Sequence, residues 1–303
     1  MSEKSKVYFR SREGLLPPPN ARFALFPFSG APVFPSEVVR SLPSPCAPIA
    51  VLHRVDRPNR SEWKQLVLRA LQANELQKVV LARETTLTLG KAPDPWRLAA
   101  ALGNTGAAIF CIQQNSHAFL GATPERLFQR TGRSILSESL AGTGAAFAEK
   151  ELREHRFVQD YLEQTLSPFC IEPIASGLLG THRTSTVQHL HQRLAGTLKS
   201  HVSDLELLRA LHPTPALCGT PKQAAYRWLQ THEPFERSLY GGVIGWSTET
   251  ASDWMVAIRC CVLEGTTARL YTGAGIVQGS NETAEWNELE DKLSLYKDIL
   301  CGL

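Results

Sequence analysis

The order in which strand-like and helix-like segments follow one another limits the possible folds more than any single motif. Between residues 78 and 143 the runs "KVVLARETTLTL", "AAIFCIQQ", "HAFLGAT", "RLFQR" and "SILSESLAGT" succeed each other, each bounded by Gly, Asn or Pro, so hairpins dominate. Helical periodicity then takes over in "AEKELREHRFVQDYLEQTLSPF", followed by "STVQHLHQRLAGTLK" and by the helices "SDLELLRAL" and "TPKQAAYRWLQTH". The last third returns to strands in "LYGGVIGWST", "WMVAIRCCVLEG" and "ARLYTGAGIV". Blocks of this kind, in place of strict alternation, predict an α+β arrangement with antiparallel sheet and disfavour a doubly wound fold. Gly273 and Gly275 fall outside any G-x-G-x-x-G spacing, which removes a dinucleotide fingerprint.

The opening region reads differently. Residues 15–50 hold nine of the nineteen prolines, so an irregular or edge-like segment wrapping the body is expected, with no domain of its own. From about Arg60 the texture changes. "SEWKQLVLRALQANELQ" carries Trp63, Leu66, Val67, Ala70 and Leu71 at helical spacing behind a Ser cap, which predicts an amphipathic helix over 61–77.

With 303 residues and 43% hydrophobic content, the chain suits one large core or two subdomains sharing one. The formal charge is +3 and no run of like charge stands out, which argues against nucleic-acid or membrane-surface binding and leaves a mild attraction for small anions. The seven cysteines are dispersed without C-x-x-C or zinc-type spacing, as expected of reduced thiols. "MSEKSKVYFRSREG" lacks a signal-peptide core and no apolar run approaches the ~18 residues of a bilayer span. A soluble cytoplasmic protein is the expectation.

Several residues carry possible chemistry. In "GAGIVQGSNETAEWNELEDK", Glu282, Glu285, Glu288 and Lys292 are spaced three, three and four apart, so a helix stacks them on one face. Glu151 and Glu154 repeat the three-residue spacing on the helix before Phe157. Such pairs are solvated faces or, if they meet, hard oxygen ligands suited to Mg²⁺. Lys78 opens an apolar strand and is a snorkelling surface group or, if buried, a base. Glu125 follows the proline turn in "GATPERLF", poised for a site or for an ion pair with Arg126. Arg259 in "WMVAIRCCV" sits amid apolar residues and requires an anion. His212 lies in the Pro-punctuated loop "HPTPALCGTP", and Tyr240 precedes Gly241 and Gly242 where a ligand can approach the backbone.

Taken together, "KVVLAR", "GATPERLF", "SLAGTG", "KELREHRFVQDYL", "HPTPALCGTP", "YGGVIGW", "MVAIR" and "GAGIVQGSNETAEWNELEDKL" resemble the chorismate-binding enzymes, and within them the isochorismate synthases. The motifs occur in the family's order from about residue 75 to 293. The resemblance implies an aminodeoxychorismate-synthase-like fold of packed antiparallel β-sheets flanked by helices, with a Pro-rich segment at 1–60 packed on a catalytic domain at 61–303. It implies Mg²⁺ held by Glu154 and Glu288 with Glu151 and Glu285 beside them, binding the ring carboxylate of chorismate. Arg259 and Tyr240 match the positions for the enolpyruvyl carboxylate, and Gly275 lies on the backbone approaching it. Lys78 matches the base that activates water for attack at C2, and Glu125 the acid that protonates the departing C4 hydroxyl. Lys292 lies in the substrate-binding set, and His212, Ala141, Gly142 and Thr143 would line the pocket near the ring. No obligatory protein partner is implied.

Family members that use ammonia usually lack the strand lysine, so Lys78 points to water. Salicylate synthases, which keep Lys and Glu and then eliminate pyruvate, are the alternative outcome, and a non-catalytic chorismate binder is another. The chain departs from the family in its N-terminal part, where residues 1–60 stand in place of the extra strands that relatives often carry.

Overall fold

The structure, a computed structural model, describes residues 5–103, 106–143, 147–183 and 187–301, the side chains of Thr143 and Cys301 excepted. Its first strands are β1 (Lys6–Arg10), β2 (Arg22–Phe26), β3 (Glu37–Val38), β4 (Val51–Arg57) and β5 (Lys78–Leu89). Then come β6 (Ala108–Gln114), β7 (His117–Thr123), β8 (Arg126–Thr131), β9 (Ser134–Thr143), β10 (Ala175–Ser176), β11 (Gly180–Arg183) and β12 (Gln188–Thr197). The last are β13 (Gly219–Thr220), β14 (Val243–Ser247), β15 (Ala251–Val256), β16 (Cys260–Glu264) and β17 (Thr267–Val277). The helices are α1 (Arg60–Gln72), α2 (Pro95–Ala101), α3 (Glu149–Leu166), α4 (Asp204–Leu211), α5 (Lys222–His232) and α6 (Glu282–Cys301).

Two sheets result. One runs β13-β5-β17-β16-β7-β6-β1-β3 with β4 also on β5, the other β10-β12-β9-β8-β15-β14-β2 with β11 also on β12. Among the described strands every pairing is antiparallel except β1 with β3. The α+β expectation is met, because hairpins place neighbours in sequence beside each other in the sheet.

Strand alternation distributes the core. In β15, Met255 joins Phe9, Leu25, Phe110 and Ile244 between the sheets, whereas Trp254 and Val256 turn to Val158, Leu162 and Leu207 of α3 and α4. On the far side of the first sheet, Val79 and Leu81 pack on Trp63, Leu66, Trp228 and Leu289 from α1, α5 and α6. Burying such a side chain is worth roughly 1.5–3 kcal/mol, so helices on both outer faces hold the pair of sheets together.

Two local expectations change. Helix α1 is capped by Asn59, whose side chain accepts from Ser61 and Glu62 N–H while Glu62 reaches back to the Asn59 N–H at 2.8 Å. The Ser61 cap is therefore displaced by the stronger capping box, and the helix stops at Gln72 instead of 77. The Pro-rich segment also contains real strands: β1 pairs with β6 in the first sheet, β2 with β14 in the second, and β4 with β5. Its prolines lie mainly between these strands, so they do not interrupt the ladders.

One gap in the first sheet is filled by side chains. β13 pairs with Lys78 and Val79, and β4 pairs from Glu84 onward. Between them, Glu233 accepts the Ala82 N–H at 2.9 Å and Arg237 donates to the Val80 carbonyl at 2.6 Å. The same Arg237 donates to the Leu217 carbonyl at 2.6 Å and pairs with Glu233. An ion pair thus supplies the alternating acceptor and donor of a missing strand. Arg237→Ala leaves Glu233 buried and unpaired and is expected to destabilise the protein by about 3 kcal/mol or more; a denaturant midpoint within error of wild type would refute this role.

Candidate active site

The chain passes from one sheet to the other at three adjacent places. Pro124 and Glu125 link β7 to β8, Ala257 to Arg259 link β15 to β16, and Tyr240 to Gly242 lead into β14. The crossings bond to one another. Thr123 Oγ1 donates to Val256 O at 2.6 Å and Val256 N to Glu125 O at 2.9 Å. Ala122 N donates to Arg259 O at 3.0 Å, and Gly241 N to Ala257 O at 2.8 Å. Regular ladders end here, so side chains point into the space between the sheets.

That space is a narrow cleft between the sheets. Glu125, Ala141, Gly142, Glu154, Tyr240, Arg259, Gly275 and Lys292 line it. Arg259 was expected inside a strand, but it occupies the bend after β15 with φ +49. A left-handed backbone at a non-glycine residue costs about 1–3 kcal/mol and clusters at functional sites. Burial pulls its guanidinium down to about 10, with Glu288 acting in the opposite direction, so it remains a cation at neutral pH.

Lys78 is fully buried, with Nζ 3.1 Å from Glu154 Oε1. The contact has the distance of an ion pair but not the alignment of a hydrogen bond. Gly275 makes it possible: a Cβ there would meet Glu154 Oε1 at 1.9 Å and Lys78 Cε at 3.2 Å. Burial opposes ionisation of Glu154, but Lys78, Lys150 and Lys292 outweigh it and hold its carboxyl below the usual range. Glu125 is different. Burial pushes its carboxyl up to about 8, against the pull of Lys78 and Lys292 and with the push of Glu138.

The remaining expected carboxylates gather beside this pair. Lys150 Nζ lies 2.5 Å from Glu285 and 3.8 Å from Glu151, and the charges of Glu154 and Glu288 also reach it. Lys292 binds Glu288 at 2.5 Å and the Gly273 carbonyl at 2.8 Å. Burial raises Glu285 to about 7, with Lys150 lowering it and Glu288 raising it further. Among the described residues no three carboxylate, imidazole or thiol side chains stand at metal-ligand spacing. The donors are nevertheless all hard oxygens, already gathered around an ammonium, and so suit an oxygen-seeking divalent cation. Glu151 is partly committed elsewhere, accepting the Ala148 N–H at the start of α3. Glu282, at the start of α6, is partly exposed and pairs with Lys64 at 3.6 Å.

His212 does not line the cleft. Its ring stands edge-on to Phe28 at 6.2 Å, and Lys222 binds its carbonyl at 2.9 Å. Burial, with Lys222 beside it, pushes the imidazole down to about 3. Ala216 and Leu217 of the same loop line the cleft instead. The Thr143 side chain falls outside the described residues. Residues that motif reading missed include His189, whose Nε2 is 3.4 Å from Arg259 Nη2, and Tyr271, stacked on Tyr240 at 5.3 Å. Burial and the Arg259 charge push His189 well below its ordinary value. Its only sequence signal is the alternation His189, His191 in "VQHLHQRL".

The sequence matches the family described as chorismate binding enzyme over residues 37–301, and the chain belongs to that family. Similar proteins include an isochorismate synthase of Haemophilus influenzae, 36% identical over 80% of this chain and 61% of the relative. The chloroplastic isochorismate synthase 2 of Arabidopsis thaliana is 34% identical over 88% of this chain and 51% of the relative. This chain therefore spans about half to three-fifths of these relatives. In structure it is similar to the menaquinone-specific isochorismate synthase of Escherichia coli, with a TM-score of 0.87, 24% identity and coverage of 99% of this chain and 89% of that one. A streptococcal anthranilate synthase component I shares the fold at a TM-score of 0.73 and 20% identity, over 84% of this chain and 60% of that one. Among the described residues no helix is long and apolar enough to cross a membrane.

Gly275→Ala keeps an ordinary backbone but displaces the Glu154 carboxylate. Lys78 then stays buried without its close partner, so stability is expected to fall by about 3 kcal/mol, and a melting temperature within error of wild type would rule out the close Lys78–Glu154 approach.

Proposed function

We propose that this protein is an isochorismate synthase, converting chorismate to isochorismate by attack of water at C2 and loss of the C4 hydroxyl. The observation that carries this reading is Glu125, buried in the cleft with its carboxyl pushed up to about 8, and the buried Lys78 near enough for its charge to act on that carboxyl. Its support from sequence is the identity to isochorismate synthases over most of this chain.

The bound substrate is a dianion. Arg259 takes the enolpyruvyl carboxylate with the Tyr240 phenol beside it, and burial keeps that phenol protonated and able to donate. Glu154 and Glu288, with Glu151 and Glu285 beside them, would hold Mg²⁺, whose charge neutralises the ring carboxylate. Lys78, as the neutral amine once the proton of its ion pair with Glu154 has passed to solvent, takes a proton from the attacking water as the new C–O bond forms at C2. The double-bond electrons shift, the C4–O bond breaks, and the Glu125 proton passes to the departing hydroxyl, which leaves as water. Ala141 and Gly142 leave room for the ring, and Gly142, at φ +75, also permits close approach to the Glu151 carbonyl, 2.7 Å from where a Cβ would stand. Acid and base are each worth ~10²–10⁴-fold.

Incubation with chorismate and Mg²⁺ is expected to yield isochorismate with little pyruvate, and chelation by EDTA to stop it. Lys78→Ala and Glu125→Gln are each expected to lose ~10²–10⁴-fold in kcat while still binding chorismate. Stoichiometric pyruvate would replace this reading by salicylate formation, and unchanged turnover in Lys78→Ala would remove the base.

Because Glu125 must carry its proton, kcat is expected to decline as pH rises through about 8. The same decline at pH 6 would contradict Glu125 as the acid.

A further inference from the structure

Next to Pro124 and Arg126, which flank Glu125, the Pro-rich segment inserts a short turn whose residues do not line the cleft. Ser11 N–H donates to the Leu15 carbonyl at 2.9 Å, Gly14 takes φ +82, and the turn presents Arg12 and Glu13 to the β7–β8 crossing. Arg12 Nη1 donates to the Pro124 carbonyl at 2.8 Å and lies 2.7 Å from Glu138 Oε2, while Nη2 donates to Glu138 Oε1 at 2.7 Å. The Arg12 side chain is 9% exposed and that of Glu138 1%. One planar guanidinium therefore grips both the peptide leading into Glu125 and a buried carboxylate next to it, the bidentate task for which Arg is suited.

We propose that Arg12 is a positioning residue for the general acid: it anchors the Pro124 carbonyl and screens the buried Glu138 charge that acts on Glu125. The proposal rests on the assignment of Glu125 made above and deepens it, since it names what sets that acid's proton affinity.

The charges around Glu125 come from several elements. Lys78 of β5 and Lys292 of α6 favour its ionised form, Glu138 of β9 disfavours it, and Tyr240 stands before β14. Glu138 itself is held ionised, about 2, by His191 of β12, Arg12 and Arg126 against its burial. Arg126 is shared with Asp253 at 2.8 Å and Glu13 at 3.0 Å, so it cannot replace Arg12 in full. Without Arg12 the Glu138 charge is less screened and Glu125 holds its proton more tightly. Without the Glu138 charge the neighbouring cations dominate and Glu125 gives up its proton more readily. The two removals thus act in opposite directions.

The test titrates Glu125 in the ligand-free protein by infrared difference spectroscopy, its carboxyl band being the one absent from Glu125→Gln. Arg12→Gln is expected to raise the midpoint, Glu138→Gln to lower it, and Arg12→Lys to bring it back toward wild type. Midpoints that stay put, or that move the same way in Arg12→Gln and Glu138→Gln, overturn the proposal. If Arg12→Gln does not fold by circular dichroism, Glu138→Gln and Arg12→Lys decide by the same criterion, an unmoved midpoint in Glu138→Gln overturning it. The readout needs no turnover. Absence of isochorismate from the wild-type protein therefore counts against the proposed reaction, and a failed shift counts against Arg12 alone.

Discussion

The bond from the Thr123 hydroxyl to the Val256 carbonyl, at 2.6 Å and fully buried, joins two of the three adjacent places where the chain passes from one sheet to the other. Val256 N returns a bond to Glu125 O, and Ala122 N one to Arg259 O. A proposed acid and a proposed anion receptor are thereby fixed to each other through backbone, with little freedom for either to drift. The cleft exists because the ladders stop here, and it keeps its shape because the ends are tied.

Around this tie the charges are layered. Lys78 faces Glu154, Lys150 faces Glu285, and Lys292 faces Glu288. Each ion is compensated, as buried charges must be, while the alternation leaves Glu125 with burial outweighing its cationic neighbours. Glycine at 275 is what allows the first of these pairs to close over the strand. The Glu233–Arg237 pair does comparable work at the sheet edge, bonding the backbone of Val80 and Ala82 where strands β13 and β4 fail to meet.

Much of this was legible from the sequence where the signal is local. The spacing of Trp63, Leu66, Val67 and Ala70 specified the buried face of α1, and the hairpin texture of 78–143 specified antiparallel sheet. Glu125, Glu154, Tyr240, Arg259, Gly275 and Lys292 came from motifs and share one cleft. His212 came from a motif too and lies behind Phe28, because the end of α4 and Lys222 direct its loop. The strands β1, β2 and β4 were hidden by prolines that lie mostly in the connections. Arg12 and His189 gave no motif signal, since their partners are far away in sequence.

By itself the sequence determined the class of fold, the family and the residues proposed for the site, because periodicity, turn residues and motif order are properties of neighbouring residues. Only the tertiary structure decided that Lys78 is a buried ion-paired group and not a surface lysine, that Arg259 occupies a strained bend between sheets, and that burial pushes the Glu125 carboxyl up to about 8. Burial and the positions of distant charges set these properties, and both arise when β5, α3 and α6 are brought to the point where the chain crosses from sheet to sheet.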